Sequence, residues 1–301
     1  MSKKTNTQSK TEETANTAIV SVEQPGALVV ASDDYGQYED AGFEDVREED
    51  LAPPLLLLAQ SNTPEVKRGE AKIGDLICRV LKRVWTLPVQ FIPLSVTLRF
   101  VVWKPLNQGG GFVASLEPDH PEVVDAMRRQ PMGKKQLTRV VEGNRVTYDL
   151  VETQYLSLLL LDPESDTWVP MILPLTSTKL TPFRQFLRQA KNLRGKRPDG
   201  SSYTFPLFAH RWQLGHRTQV KHNQESEVVT FELAGANAAE ARVSATSPEF
   251  LMAAAYHKRM RDGGIVIDDA QQAQDAGDDG YGEDRGYSQG NGYGQASNAP
   301  F

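Results

Sequence analysis

The stretch "LPVQFIPLSVTLRFVVWKP", residues 87–105, limits what this chain can fold into more than any other. Val89, Phe91 and Pro93 alternate with less apolar neighbours, and Val96, Leu98, Phe100 and Val102 alternate after them. A period of two puts residues i and i+2 on one face of an extended chain, so this is strand and not helix. Two consecutive strands are expected, with Arg99 and Trp103 on the opposite face. The same signal recurs. "KKQLTRVVEGNRVTYDLVETQYLSLLLLD" has a Glu-Gly-Asn turn between two β-rich runs, a hairpin signature. "TWVPMILPLTST" adds a strand whose Pro170 and Pro174 suit a sheet edge, because proline cannot donate to a ladder. "NQGGGFVAS" reads as a Gly-rich turn before a short strand, and "SYTFPLFAHRWQLGHRTQVKH" with "SEVVTFELAG" as a second hairpin.

Helices are fewer. In "STKLTPFRQFLRQAKNLRGK", Thr181 is the expected N-cap, Pro182 the first helical residue and Gly195 the stop. Phe183, Phe186, Leu187 and Ala190 form an inward stripe at helical spacing, with Arg184, Arg188 and Lys191 on the other side. "DHPEVVDAMRRQ" reads as a short helix capped by Asp119. "SPEFLMAAAYHKRMRDGG" reads as a closing helix between Ser247 and Gly263. The fold expected is mainly β (α+β), an OB-like or Greek-key barrel core with two or three helices and disordered termini. Its expected boundaries are an acidic arm over residues 1–50, a core over 51–267, and an acidic Gly-rich tail over 268–301.

Charge follows those boundaries. Residues 1–63 carry 4 Lys/Arg against 12 Asp/Glu, residues 64–222 carry 24 against 14, and residues 223–301 carry 5 against 13. A formal net charge of −6 thus conceals a basic core between acidic flanks, which suggests a polyanion ligand and tails that compete with it. Cys78 is the single cysteine, which excludes an intramolecular disulfide and a cysteine-based zinc site. The five histidines show no metalloprotease spacing, and no P-loop or nucleophile-elbow motif is present. A non-catalytic protein without cofactor or metal is the expectation. The apolar runs are too short to span a bilayer and "MSKKTNTQSKTEETANT" has no apolar signal core, so no membrane partner and a cytoplasmic location are expected.

Cations and aromatics cluster together. All four tryptophans lie in the basic segment, three of them beside a cation in "KRVW", "WKP" and "HRW". Single-stranded nucleic acid needs both kinds of group, since cations neutralise phosphates and aromatic faces stack bases. The nucleic-acid-binding candidates are Lys82, Arg83, Trp85, Arg99, Trp103 and Lys104 in the first strands. In "MRRQPMGKKQLTR" they are Arg128, Arg129, Lys134, Lys135 and Arg139. In "RQFLRQAKNLRGKRPDG" they are Arg184, Arg188, Lys191, Arg194, Lys196 and Arg197, with no acid among them. Arg211, Trp212, Arg217 and Lys221 complete the set. Trp103 and Trp212 are expected at the surface. The alternative is that these aromatics fill the core and the cations only solvate its outside. No helix-turn-helix or zinc-finger signature is present, so base-specific reading of a duplex is not expected.

The last residues, "YGEDRGYSQGNGYGQASNAPF", are polar and Gly-rich, yet close on Pro300 and Phe301. An acidic, flexible tail with a terminal Pro-Phe resembles bacterial single-stranded DNA-binding proteins, and the acidic tail closing on Phe resembles T7-type phage single-stranded DNA-binding proteins. The resemblance covers residues 268–301. It implies that Asp278, Asp279, Glu283, Asp284, Pro300 and Phe301 recruit replication or recombination proteins, and it implies an OB barrel. The acids stop at Asp284, so the segment next to Phe301 departs from that pattern. The opening "LLLLAQSNTPEVKRGEAKIGD" with the later "WKP" and "GGG" is similar to proteins of tailed phages. The expected function is non-sequence-specific single-stranded DNA binding in phage replication or recombination, with a homo-oligomer among the possible states. The alternatives are a virion or assembly protein and a single-strand annealing protein.

Overall fold

The computed structural model describes residues 52–130, 135–221 and 224–263. In chain order the elements are β1 (Leu57–Leu58), α1 (Pro64–Lys67), β2 (Leu76–Cys78), β3 (Arg83–Trp85), β4 (Val89–Trp103), β5 (Phe112–Leu116) and α2 (Pro121–Arg129). There follow β6 (Lys135–Val141), β7 (Asn144–Asp162), β8 (Thr167–Thr176), α3 (Leu180–Asn192), β9 (Arg194–Lys196) and β10 (Ser202–Thr204). Then come β11 (Trp212–Lys221), β12 (Gln224–Leu233) and α4 (Pro248–Arg261).

An antiparallel ribbon of β4 and β7 runs through the fold, paired from Phe91↔Leu160 to Trp103↔Asp149. The two alternating runs of the sequence are one strand, because the register shifts between Pro93 and Ser95. One extra residue changes parity, so Val89 and Phe91 before the bulge share a face with Val96, Leu98, Phe100 and Val102 after it. The packing agrees: Val89 and Phe91 sit in the main core with Val96 against it, while Phe100 and Val102 join a second core with Leu98.

At one end of the ribbon β5 pairs with β4 and β6 with β7. The β6–β7 connection is the Glu-Gly turn read from the sequence. Glu142 and Gly143 both have positive φ, at 50° and 79°, as a two-residue type I′ hairpin requires. At the other end the strand path is β12-β11-β4-β7, with β8 on the outer side of β7. Pro170 and Pro174 lie on that edge strand as expected. Between them, Ile172 donates its N–H to the Pro54 carbonyl at 3.0 Å and accepts from Leu56 N–H at 2.8 Å. The β12 edge is met by a side chain instead: the Gln60 amide accepts from Glu227 N–H at 2.8 Å and donates to its carbonyl at 3.1 Å.

The chain is mainly β with α-helices added, the class expected from the sequence. Among the described residues its strand path has two ends, so the sheet is open and is not closed into a ring by ladders.

Three helices cover this sheet. Phe183 and Phe186 of α3 enter the main core against Phe91, Trp212 and Phe231. Ala253 of α4 packs with Ile92, Leu94, Leu159 and Val243 in a separate cluster. Val123 and Ala126 of α2 pack on Phe100, Val102, Leu137 and Leu150. The α4 ends are those expected, with Ser247 Oγ accepting from Phe250 N–H at 3.4 Å and Gly263 at φ 84°. Two caps differ. His120, not Asp119, caps α2, its Nδ1 accepting from Glu122 N–H at 3.3 Å. Helix α3 starts at Leu180 behind a 3-10 turn over Ser177–Lys179, so Thr181 and Pro182 fall inside its first turn. Proline is tolerated there because the first N–H groups of a helix have no intrahelical acceptor. Gly195 does not stop the helix; it is the middle residue of β9.

Candidate nucleic-acid interface

The tryptophans correct the sequence reading first. Trp103 and Trp212 are not surface aromatics: they are 3% and 1% exposed, and Trp85 is 3% exposed. Trp212 stands edge-on to Phe186 at 4.7 Å, and Trp103 edge-on to Phe112 at 6.0 Å. The physical reason is the strand itself. Adjacent residues of an extended chain point to opposite faces, so Lys104, one residue past Trp103, marks the face opposite the tryptophan's own. Arg83, two residues before Trp85, instead shares its face and lies over its ring.

The cations divide into paired and unpaired. Arg83 is held by Asp162 at 2.5 Å and Glu164 at 2.7 Å, with its guanidinium over the Trp85 ring. Arg99 pairs with Glu117, and Arg129 with Asp125. Arg139 grips both oxygens of Glu122, at 2.9 and 2.5 Å, which holds the Glu122 carboxyl below its ordinary value. Lys135 donates to the Gln130 carbonyl. Two cations of the "MRRQPMGKKQLTR" patch, Arg129 and Arg139, are thus paired with acids of α2, and Arg128 is exposed. Lys134 lies outside the described residues, as does the side chain of Lys221. So do Asp278, Asp279, Glu283, Asp284, Pro300 and Phe301, together with the whole acidic arm over 1–50 and the tail over 268–301. Lys82, Lys104 and Arg217 are exposed singly, and Arg211 is half-buried.

Helix α3 and the hairpin after it are different. The apolar stripe that docks Phe183 and Phe186 turns Arg184, Arg188 and Lys191 outward, and all three are exposed. Arg184 reaches Glu152 at 2.7 Å. Arg188, Lys191, Arg194, Lys196 and Arg197 are exposed and make no ion pair with any described residue. Like charges this close repel, and neighbouring acids would ordinarily relieve that. The one acid here, Asp199, is occupied in the turn, where it accepts from Ser201 N–H at 2.8 Å.

Strands β9 and β10 carry the aromatics that sequence reasoning missed. Tyr203 lies opposite Gly195, and Phe205 follows just past the strand. Both rings are half-exposed and stand edge-to-face at 5.1 Å. The Arg197 guanidinium lies over the Tyr203 ring at 5.4 Å. The signal was present in "RGKRPDGSSYTF", where alternating Tyr203 and Phe205 face a strand containing glycine.

An open groove of about 290 Å³ lies between Leu87–Pro88 and the Gln213–His216 and Thr230–Glu232 rungs. Its charged wall is Glu232, which suits no polyanion. Among the described residues no group of three or more His, Cys, Asp or Glu is placed to hold a metal ion, and no helix is long and apolar enough to cross a membrane.

These features define a mainly β, α+β protein in which a helix and the hairpin that follows it carry an acid-poor cationic face. The chain belongs to the Pam3 phage gp34-like protein family, whose model matches residues 23–266, and is thus a phage protein. No curated protein and no solved structure matched the chain.

Proposed function

We propose that the protein binds single-stranded DNA without sequence preference, in phage replication or recombination. One observation supports this reading: the run of exposed cations from Arg188 to Arg197, on α3, β9 and the turn after it, none of which makes an ion pair with any described residue. Such a run gains most when phosphates replace its mutual repulsion and release condensed counterions. The acidic residues from Asp268 to Asp284 compete for the same face in the free protein, and Phe301 serves partner recruitment.

The test is fluorescence anisotropy of labelled oligo-dT across a salt series, with a duplex of equal length as comparison. Replacing Arg188, Lys191 and Arg194 with Ala should lower the log–log salt slope by roughly 0.7 per lost phosphate contact, or about 2 in all. A slope unchanged by the triple replacement, or duplex bound as tightly as oligo-dT, refutes the proposal.

A further inference from the structure

We infer that Tyr203 and Phe205 form a stacking platform for unpaired bases at the end of the α3 cation run. This rests on the reading of that face as a single-strand site. The first support is how Tyr203 is held. In the β9–β10 pair it lies directly across from Gly195, and a Cβ on Gly195 would fall 2.4 Å from the tyrosine ring. The ring therefore lies against bare backbone, and any side chain at position 195 would lift it. Phe205 fixes the second position. It stands edge-to-face with Tyr203 at 5.1 Å and with the buried His210 ring at 5.0 Å, which ties the row to the body of the protein. Neither aromatic belongs to a buried apolar cluster. Two rings fixed in place yet half-exposed lose little freedom when a planar ligand stacks on them.

The charges around them fit a strand of nucleotides. Arg197 lies over the Tyr203 ring, where a base would stack. Its long stem lets the guanidinium swing to a phosphate when a base takes that place. Arg194 and Lys196 line the opposite face of the hairpin, across from Thr204 and Ser202. A base can stack on Tyr203 only from an unpaired strand, since a duplex keeps its bases stacked inside.

The experiment compares the full chain with Tyr203→Leu, Phe205→Leu and Tyr203→Trp. Each is titrated with oligo-dT and with an abasic oligonucleotide of equal length, and circular dichroism checks folding. Leucine still covers Gly195, so the hairpin keeps its apolar lid. Tyr203→Leu should weaken oligo-dT binding roughly 5- to 150-fold, the range for one lost base stack, and leave abasic binding unchanged. Tyr203→Trp should retain affinity and show fluorescence quenching on binding. If the wild type binds both probes equally, or if Tyr203→Leu and Phe205→Leu leave the ratio of the two affinities unchanged, the platform is refuted while the phosphate site stands. If the wild type binds neither probe, both readings fall.

Discussion

Replacing Phe186 with Ala tests how the cationic face is held in place. Phe186 is 1% exposed, and its ring meets Trp212 edge-on at 4.7 Å, stacks on Phe231 at 4.9 Å and Phe183 at 5.7 Å, and touches Phe91 at 6.1 Å. These partners come from β4, β11, β12 and α3 itself, so the ring joins the helix to three strands. Truncating a buried phenylalanine costs roughly 3–5 kcal/mol, from lost transfer energy and the cavity left behind. Aromatic partners on several sides place this residue near the top of that range, since rigid rings collapse poorly into a void. For a folded unit of this size, each kcal/mol moves the melting temperature by roughly 2–4 °C, so Phe186→Ala should melt about 6–20 °C below the wild type. The assay is thermal melting followed by far-ultraviolet circular dichroism, with urea titration to check that the m-value is unchanged. Leu187→Ala, at the half-buried margin of the same stripe, is the control and should lose much less. A loss under about 3 °C for Phe186→Ala would mean that α3 is not anchored through this ring, and the reasoning would fail.

Stability should also depend on Glu122, whose carboxyl is held below its ordinary value chiefly by the Arg139 guanidinium. A depressed carboxylate contributes fully above its unfolded pKa, near 4.3, and loses that contribution as pH falls through the folded value. Urea midpoints should therefore drop more between pH 7 and pH 3.5 for the wild type than for Glu122→Gln; equal drops would refute the link. Truncation at Asp268 removes seven acids and one Arg. Oligo-dT affinity should rise, more at low salt than at high salt, because exposed charges are screened beyond roughly 10 Å at 0.1 M; unchanged affinity at low salt would exclude competition by the tail.

Local chemistry made much of this fold legible. The Glu142-Gly143 turn, the Ser247 and Gly263 ends of α4, and the edge position of Pro170 and Pro174 follow from the dihedral and donor properties of the residues involved. The bulge was written in the switch from odd to even apolar positions after Pro93, although the switch also fits two separate strands. The α3 start was misread because Thr181-Pro182 is a standard opening, and only the tertiary path through Ser177 at φ 47° moves it earlier. In the site, the cation run was legible because the apolar stripe of α3 fixes which side faces outward. The aromatics were not. A cation one residue from a tryptophan in extended chain points to the opposite face, so Lys104 and Arg211 carry no sign that Trp103 and Trp212 are exposed, and both rings are buried. Pairing of Arg83 with Asp162 and of Arg139 with Glu122 could not be read from spacing, since each contact joins two different elements, 79 and 17 residues apart. Arg129 with Asp125, by contrast, is an i,i+4 pair within α2 that spacing does offer.

The β4–β7 ribbon has a consequence for how this protein can vary. The α3 core and the α2 core sit at opposite ends of the same two strands, and Thr97 and Arg99 between them are only half-buried. No helix spans that waist among the described residues; the β4–β7 ladder connects the two ends, and the Arg184–Glu152 ion pair also crosses it. Beyond the Glu152 rung, which holds Arg184, the α2 end can therefore be lengthened, trimmed or exchanged with little effect on the face that α3 presents. It behaves as an outboard module on a shared beam, free to acquire a partner of its own while the cationic face keeps its geometry.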